Sequence, residues 1–594
     1  AQYVEREHFE YKTNLFGSTY LSYELFDGLT AKTNLGVTLE QRKRTRWDGT
    51  KYHASGNSRA QYNLQNRDRI RLVLDNTLSY SKSFGNHDLD LLGGMTVQQR
   101  RSNESQVTGN GYTNDLLKNL EGATAIAEFD EINVQLKKVG YFARLNYAYA
   151  DKYLFNASFR RDGSSVFGSD FKYGDFPAVS VGWNVAKENF LKDSKLINSL
   201  KFRASYGLTG AENFNVGDDN VNLYPYLALL NNSNAVVDGS IVTGVSPRNI
   251  ANDLLKWEAS EELTIGLDYG FFNNRISGSF DYYKRTSNDL LLENPVSFVT
   301  GFSSGIVNLG EVQNTGFELE FRTKNILSEK FKWSSTIVAS TNQNELLSFG
   351  DSNNALIEDD YGRNSQWINR IGEPISSFWG YVVDPTYSDL EYRTTYVDNP
   401  WNRINGEAQD TKVLDLNGDG IITAEDKTIL GDPYPDLIYS FTNEFQIGNF
   451  DFSFMLQGSL GAQVNNIGDE YFYNWFGNQT RSGGALQAVA DGYVSDVSFI
   501  QEKVLTSEVI ASANYLSLRN VNLGYNFSRK SLDKFGLTGL RVYGTAQNLL
   551  YITANDYHGF NPEFVDGSNP RAYGSQRAGT PIFSTLTIGM NIDF

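Results

Sequence analysis

The chain has 594 residues with no cysteine, 14% aromatic residues, 53 glycines, 12 prolines and a formal net charge of −18. The lack of cysteine excludes disulfide scaffolds, thiolate metal sites and cysteine nucleophiles; the four histidines (His8, His53, His87, His558) are scattered and form no HExxH zinc pattern; and the acidic balance argues against a nucleic-acid partner. No apolar run reaches the roughly 18 residues of a transmembrane helix, while a mean hydropathy of −0.41 fits a barrel whose interior-facing residues and loops dilute a lipid-facing set.

The chain opens at Ala1 with neither a Met nor a signal peptide, which reads as a processed or partial chain. From residue 20 onward it alternates with a period of two, which only a β-strand turns into two faces. Residues 20–26 and 29–39 read as a hairpin turning at Asp27-Gly28, with Leu29, Ala31, Thr33, Leu35, Val37 and Leu39 on one face. A polar stretch, 41–68, reads as the first long connection. Residues 71–83 and 88–99 pair through Gly85-Asn86, and 140–150 turns at Asp151-Lys152 into 153–160. Residues 176–185 and 200–209 form the next pair, with Leu200, Phe202, Ala204, Tyr206 and Leu208 opposite Lys201, Arg203, Ser205 and Gly207. Past a long segment to Lys256, residues 263–271 and 276–284 pair across Asn273-Asn274, a favourable tight-turn dipeptide, and 317–323 pairs with 331–339. The longest irregular segment, 342–435, precedes the pair 436–446 and 450–460, joined at Gly448-Asn449. After another long segment come 515–527, 540–551 and the closing strand 584–594, where Leu586, Ile588, Met590, Ile592 and Phe594 share a face.

Connections alternate short, long, short, long. A water-soluble domain rarely carries many structureless loops beyond about a dozen residues, whereas a bacterial outer-membrane barrel joins its strands by short periplasmic turns and long extracellular loops. A propeller would show a repeat of about 40–50 residues with a recurring motif, and none is present. The expected fold is therefore all-β, a transmembrane antiparallel β-barrel over residues 1–594, with 342–435 a long extracellular loop region. The count is about 17 strands, and the first and last run in the same direction. Bacterial barrels have an even number, so an odd number of N-terminal strands is expected outside this sequence.

Eight segments carry a resemblance: RRDGSSVFG (160–168), LKFRASYGLTG (200–210), LKWE (255–258) followed by 265–272, NLGEVQNTG (308–316), SFWGY (377–381), DLNGDG (415–420), YLSLRNVNLGY (515–525) and LRVYGTAQNLL (540–550). In this order and spacing, over nearly the whole chain, they resemble the C-terminal barrel of SusC-like TonB-dependent outer-membrane transporters. The resemblance implies a 22-stranded barrel around an N-terminal plug, a SusD-like surface lipoprotein over its mouth, and energy from TonB. A plug and a TonB box are not found before Tyr20, and about five strands would be missing, in line with the odd count. The resemblance implies import of oligosaccharides or peptides. The alternative is a SusC-like barrel serving as a non-transporting scaffold in a larger outer-membrane complex. An enzyme is not expected.

Among local motifs, Asp415, Asn417 and Asp419 with Gly420, Ile421 and Asp426 fit positions 1, 3, 5, 6, 7 and 12 of a calcium loop. Three carboxylates so close in sequence repel one another without a cation. We therefore expect a structural Ca2+ held by Asp415, Asn417, Asp419, the Ile421 carbonyl and Asp426, bracing the 342–435 region. Gly301-Phe302-Ser303-Ser304-Gly305 matches the GxSxG nucleophile elbow but lies between two hairpins rather than in a strand–turn–helix setting, and reads as coincidence. Trp367, Trp379, Trp401 and Trp475, with Tyr381, Tyr471 and Tyr473, fall near the expected barrel mouth; each could stack on cargo, but loop packing is the larger expectation. Arg203, Arg519 and Arg541 mix with Asn and Ser on the expected interior face, so no charge preference for cargo is read.

Overall fold

A computed structural model of the chain describes residues 6–50, 60–212, 224–349, 356–360, 365–383, 403–404, 407–408, 413–420, 423–466, 506–532, 534, 536–557, 559, 561–565, 572–576 and 580–593. They form two compact units, the first comprising residues 1–183, 205–261 and 287–309 and the second residues 184–204, 262–286 and 310–594.

Among the described residues seventeen long strands are present: β1 (Arg6–Phe26), β2 (Leu29–Asp48), β3 (Gln61–Phe84), β4 (His87–Asn110), β5 (Ala125–Tyr149), β6 (Tyr153–Ser164), β7 (Tyr173–Asn184), β8 (Ile197–Ala211), β9 (Glu258–Phe271), β10 (Ile276–Asn288), β11 (Glu311–Leu327), β12 (Phe331–Thr341, continuing as Gln343–Ser348), β13 (Leu437–Ile447), β14 (Phe450–Leu460), β15 (Tyr515–Asn526), β16 (Gly539–Thr553) and β17 (Thr585–Asp593). Each is one that alternation predicts. In the first unit, β1 to β7 form an antiparallel meander in sequence order. In the second, β11 to β17 do the same, with Gln343–Ser348 pairing back onto β11. The predicted tight turn at 273–274 is present, with Phe272, Asn273 and Asn274 all at positive φ, as such turns require.

The strands of the first unit are longer than predicted. The expected connection 41–68 is largely strand: β2 continues to Asp48 and β3 begins at Gln61, paired in unbroken register from Leu29↔Tyr80 to Asp48↔Gln61. β1 likewise starts at Arg6, β4 runs to Asn110 and β5 starts at Ala125. A ladder needs only backbone N–H and C=O groups, so it persists where apolar alternation stops. On β2 that alternation covers residues 29–39, about the 9–11 residues that span a bilayer, and the remainder is polar on both faces up to the buried Trp47 near its end.

The 342–435 region also carries more structure than an irregular loop. Short strands Leu356–Asp360, Ser365–Asn369, Ser377–Gly380 and Thr428–Gly431 pair into one small sheet. Gly301–Gly305 lies at the tip of a hairpin formed by Leu291–Pro295 and Ser304–Asn308, a strand-to-strand setting.

Neither unit hides its apolar face inside the long strands. Tyr141 is 46% exposed, Phe159 47% and Ile588 88%, all on the apolar side of their ladders. The buried clusters are built mostly from the connections, with Leu136 of β5 and Trp47 of β2 joining them: Leu136, Val166, Phe167, Leu255, Leu291 and Ile306, and separately Trp47, Ala60 and Tyr112, in the first unit; Ala462, Val464, Ala511, Ala513 and Tyr557 in the second. An apolar sheet face of this extent is a liability in water and a requirement in a bilayer.

Candidate functional site

The polar faces of the long strands are the first candidate, and they differ between the units. In the first unit the face carries Glu40, Arg42, Arg44 and Arg46 on β2, Arg67, Arg69 and Arg71 on β3, and Arg100 and Glu104 on β4, aligned by register. Arg44 pairs with Glu10 at 2.8 Å and Arg67 with Glu104 at 2.5 Å. Asp48, fully buried, takes both Arg6 and Arg46 at 2.7 Å. This cationic face is what sequence reading missed: Arg42, Arg44, Arg46 and Arg67 fall in residues 41–68, which read as a connection, and the alignment of Arg69, Arg71 and Arg100 with them depends on strand register. The signal is nonetheless there: Arg42, Arg44 and Arg46, then Arg67, Arg69 and Arg71, repeat with the strand period.

In the second unit the predicted interior arginines are on the polar face and matched. Arg203 reaches Asp281 at 2.6 Å and Asp268 at 3.1 Å. Arg541 reaches Asp451 at 2.5 Å. Arg519 pairs with Glu563 and donates to the Tyr551 hydroxyl at 2.6 Å and to Gln457 Oε1 at 3.0 Å. Strict alternation would put Arg519 beside Val521 on the apolar face. A β-bulge between Leu518 and Asn520 shifts the phase and turns it to the polar side.

Two of these pairs lie over glycines. A Cβ on Gly266 would collide with Asp281 Oδ1 and sit 2.6 Å from Arg203 Cζ. A Cβ on Gly524 would sit 2.6 Å from both Arg541 Nη2 and Asp451 Oδ2. The ion pairs lie flat because the strand beneath has no side chain there.

The loop sheet is the second candidate. Trp367 (2% exposed) and Phe378 (1%) on its strands are buried, as are Tyr381 and Val413 beside it, and the Trp367 indole donates to the Tyr573 carbonyl at 3.1 Å. These predicted aromatics therefore serve loop packing. Burial pushes the Tyr381 phenol up to about 12, with the Asp426 charge adding to it. Trp379 belongs to the same small sheet, while Trp401, Trp475, Tyr471 and Tyr473 lie outside the described residues.

Asp415, Asn417, Asp419 and Asp426 share one tight loop, with Gly418 and Gly420 at φ +77 and +84, values that favour glycine. Ile421 lies outside the described residues. Asp415 accepts the N–H groups of Gly418 (2.7 Å) and Gly420 (2.8 Å). Buried Asp426 accepts those of Leu416 (2.9 Å) and Thr423 (2.7 Å), and Thr423 caps the short helix Ala424–Asp426. Desolvation works to raise the Asp415 carboxyl, but the N–H groups of Gly420, Gly418 and Asp419 and the Asp426 side chain outweigh it and hold it below the ordinary aspartate range. The donor set has the hard oxygens calcium takes. In this arrangement the Asp415 and Asp426 carboxylates face backbone N–H groups, Asp419 accepts from the Asn417 side-chain amide at 3.1 Å, and among the described residues no three acidic or histidine side chains converge on one point.

Comparison with known proteins places this geometry. Residues 2–549 match the family model described as TonB dependent receptor-like, beta-barrel. The chain belongs to the TonB-dependent receptor β-barrel family. It is 35% identical to TonB-dependent receptor P3 of Formosa agariphila, over 99% of this chain and 58% of that protein. It is 31% identical to TonB-dependent receptor SusC of Bacteroides thetaiotaomicron, over 87% of this chain and 49% of that protein. A solved structure of the RagAB peptide transporter superposes with a TM-score of 0.81 at 21% identity, over all of this chain and 63% of that one. The chain thus spans about half to three-fifths of the length of the relatives it matches. As a TonB-dependent receptor barrel it crosses the bacterial outer membrane with its strands. The apolar faces described above are its lipid-facing surface and the polar faces its interior wall, as in any such barrel.

Proposed function

We propose that this chain is the barrel of a SusC-like importer that takes up oligosaccharides or peptides received from a SusD-like surface lipoprotein, driven by TonB. The observation that carries this reading is the polar wall itself. Seventeen strands of a receptor barrel line their interior with arginine, carboxylate, amide and hydroxyl groups, and the long connections on one side carry a packed sheet on which a lid protein could rest. No covalent chemistry is assigned. The test is uptake: cells in which the gene is deleted should stop accumulating one class of fluorescent oligosaccharide or oligopeptide, and complementation should restore it. Native mass spectrometry of gently extracted outer membranes should find the receptor bound to a lipoprotein. Unchanged uptake across both cargo classes, with no lipoprotein in the complex, would overturn the reading.

The same reading gives the 415–426 loop a structural Ca2+, which would draw the oxygens of Asp415, Asn417, Asp419, Ile421 and Asp426 toward one centre. Support comes from the donor set and the two left-handed glycines that bend the chain as such loops require. With calcium bound, limited proteolysis should cut the surrounding loops slowly. A chelator should speed cutting, and Asp415→Asn with Asp419→Asn should abolish the chelator effect. Equal cutting with and without chelator in the unaltered protein would rule the ion out.

A further inference from the structure

Part of the interior wall carries charge that its own residues do not balance. Across β2, β3 and β4, Arg42 lies directly opposite Arg67, Arg71 lies directly opposite Arg100, and Arg69 stands between those two rungs. Like charges facing each other across a ladder destabilise it. Arg67 is answered by Glu104 at 2.5 Å, and Arg69 only distantly by Glu40 at 3.9 Å. Arg71 donates to the neutral amide of Gln98 at 3.0 Å. Glu212, whose charge reaches Arg100, is itself paired to Lys138. Among the described residues the buried Nε atoms of Arg42, Arg69 and Arg100 have no hydrogen-bond partner.

The level of this cluster matters. On the outer face of the same strands the apolar series ends at the rung Leu39–Ile70, and Gln41 and Asp68 come next. Arg71 adjoins that rung, and Arg69, Arg67 and Arg42 lie beyond it, toward the long connections. The cluster therefore faces the interior at and outside the outer edge of the membrane band, where cargo enters. The chain as a whole is acidic, with a net charge of −18, so an anionic molecule is repelled by most of the protein and attracted here.

Resting on the importer reading above, we infer that Arg42, Arg69, Arg71 and Arg100 form a recognition site for the oxyanion groups of an anionic oligomeric cargo, its carboxylates or sulfates. The guanidinium fork matches such groups two oxygens at a time, and a wall of low dielectric focuses the attraction. A neutral oligomer gains nothing from it.

The experiment uses the full-length receptor in detergent and four probes of equal length: a tetragalacturonate, a heparin-derived sulfated tetrasaccharide, tetra-aspartate and neutral maltotetraose. Calorimetry at low salt should show at least one anionic probe binding about tenfold or more tightly than maltotetraose, the scale of one or two charge-assisted hydrogen bonds. High salt should shrink that advantage. The double change Arg71→Gln and Arg100→Gln should remove it and leave the neutral probe as before. Should that protein fail to fold, Arg71→Lys with Arg100→Lys keeps the charge without the fork, and should retain the salt dependence at reduced affinity. Indifference of the receptor to probe charge, including binding of no probe at all, overturns the site. So does an anionic advantage that survives the Gln changes. A lower melting temperature with anion binding unchanged means the arginines hold an acidic segment of the full-length chain, which also overturns it. The importer reading is judged separately by uptake on gene deletion: uptake lost on deletion with no preference for anions sinks this site alone.

Discussion

The two units build the same kind of wall and charge it differently. In the second unit each interior arginine that sequence reading singled out meets a carboxylate: Arg203 meets Asp281 and Asp268, Arg541 meets Asp451, and Arg519 meets Glu563. In the first unit arginine faces arginine at Arg42–Arg67 and Arg71–Arg100. Paired charges fix side chains and cancel their fields; unpaired ones leave a field directed into the interior. The first wall has pairs of its own, Arg44–Glu10, Arg67–Glu104 and Arg46–Asp48, and the contrast lies in the patch of Arg42, Arg69, Arg71 and Arg100, whose charge is not matched in this way. Gly266 and Gly524 clear space for pairs of the second unit, as Gly140 does for Arg160–Asp162 in the first; among the described residues no such pair covers the Arg71–Arg100 rung.

The contrast predicts unequal responses to substitution. The largest effect is expected at Asp281, which is 8% exposed and takes Arg203. Asp281→Ala leaves a partly buried guanidinium with Asp268, at 3.1 Å, as its remaining carboxylate, and should cost about 2 kcal/mol, read as a lower denaturant midpoint of the folded barrel. A midpoint equal to that of the unaltered protein would mean the pairs of the second unit are ornamental. Next comes Gly524→Ala, whose Cβ would push into the Arg541–Asp451 pair. Moving that pair should cost about 1 kcal/mol. Removing the pair by Asp451→Ala with Arg541→Ala, which clears all three of the atoms that crowd a Cβ at Gly524, should make the alanine tolerated. Strict additivity of the pair removal and Gly524→Ala would break the claim that the glycine exists for the pair.

How much of this was legible in the sequence depends on what each feature rests on. All seventeen strands were readable, because a lipid-facing side must be apolar and so prints a period of two on each strand, from Leu29–Leu39 to Leu586–Ile592. Strand ends were not readable in the first unit: Gln41–Asp48 and the start of β3 hold together by ladder bonds alone, and polar side chains on both faces look like loop. Arg42 and Arg69 lie in or beside that stretch and were concealed with it, whereas Arg71 opens a predicted strand and Arg100 lies one residue past another, and it was their facing across the ladder that needed the register. Arg519 was read as an interior residue and is one, but the bulge that turns it there, against strict alternation, shifts the phase by one residue and leaves no compositional mark. In the loops the motif DLNGDG gave the turn correctly, since Gly418 and Gly420 sit at positive φ. The roles of Trp367 and Tyr381 needed the structure, because burial among distant segments such as the one holding Tyr573 is set by tertiary packing.

The smallest expected effect is also the most discriminating, because its sign is opposite. Arg100→Gln removes one member of a like-charged rung, leaves no described carboxylate newly orphaned beyond Glu212, which keeps Lys138, and retains a long polar side chain. Relief of cross-strand repulsion should leave the barrel unchanged or more stable by about 0.5 kcal/mol, while Arg541→Gln in the other wall should destabilise it by a similar amount. Low salt should widen the difference and high salt close it, since both terms are Coulombic and partly solvent-exposed. If Arg100→Gln instead destabilises the barrel as Arg541→Gln does, Arg100 already has a carboxylate partner in the full-length receptor, and the first wall is as neutral as the second. A gain in stability on losing a charge would show that the arginines of the first unit are retained against the interest of the fold, as expected of groups kept for what passes the wall rather than for the wall itself.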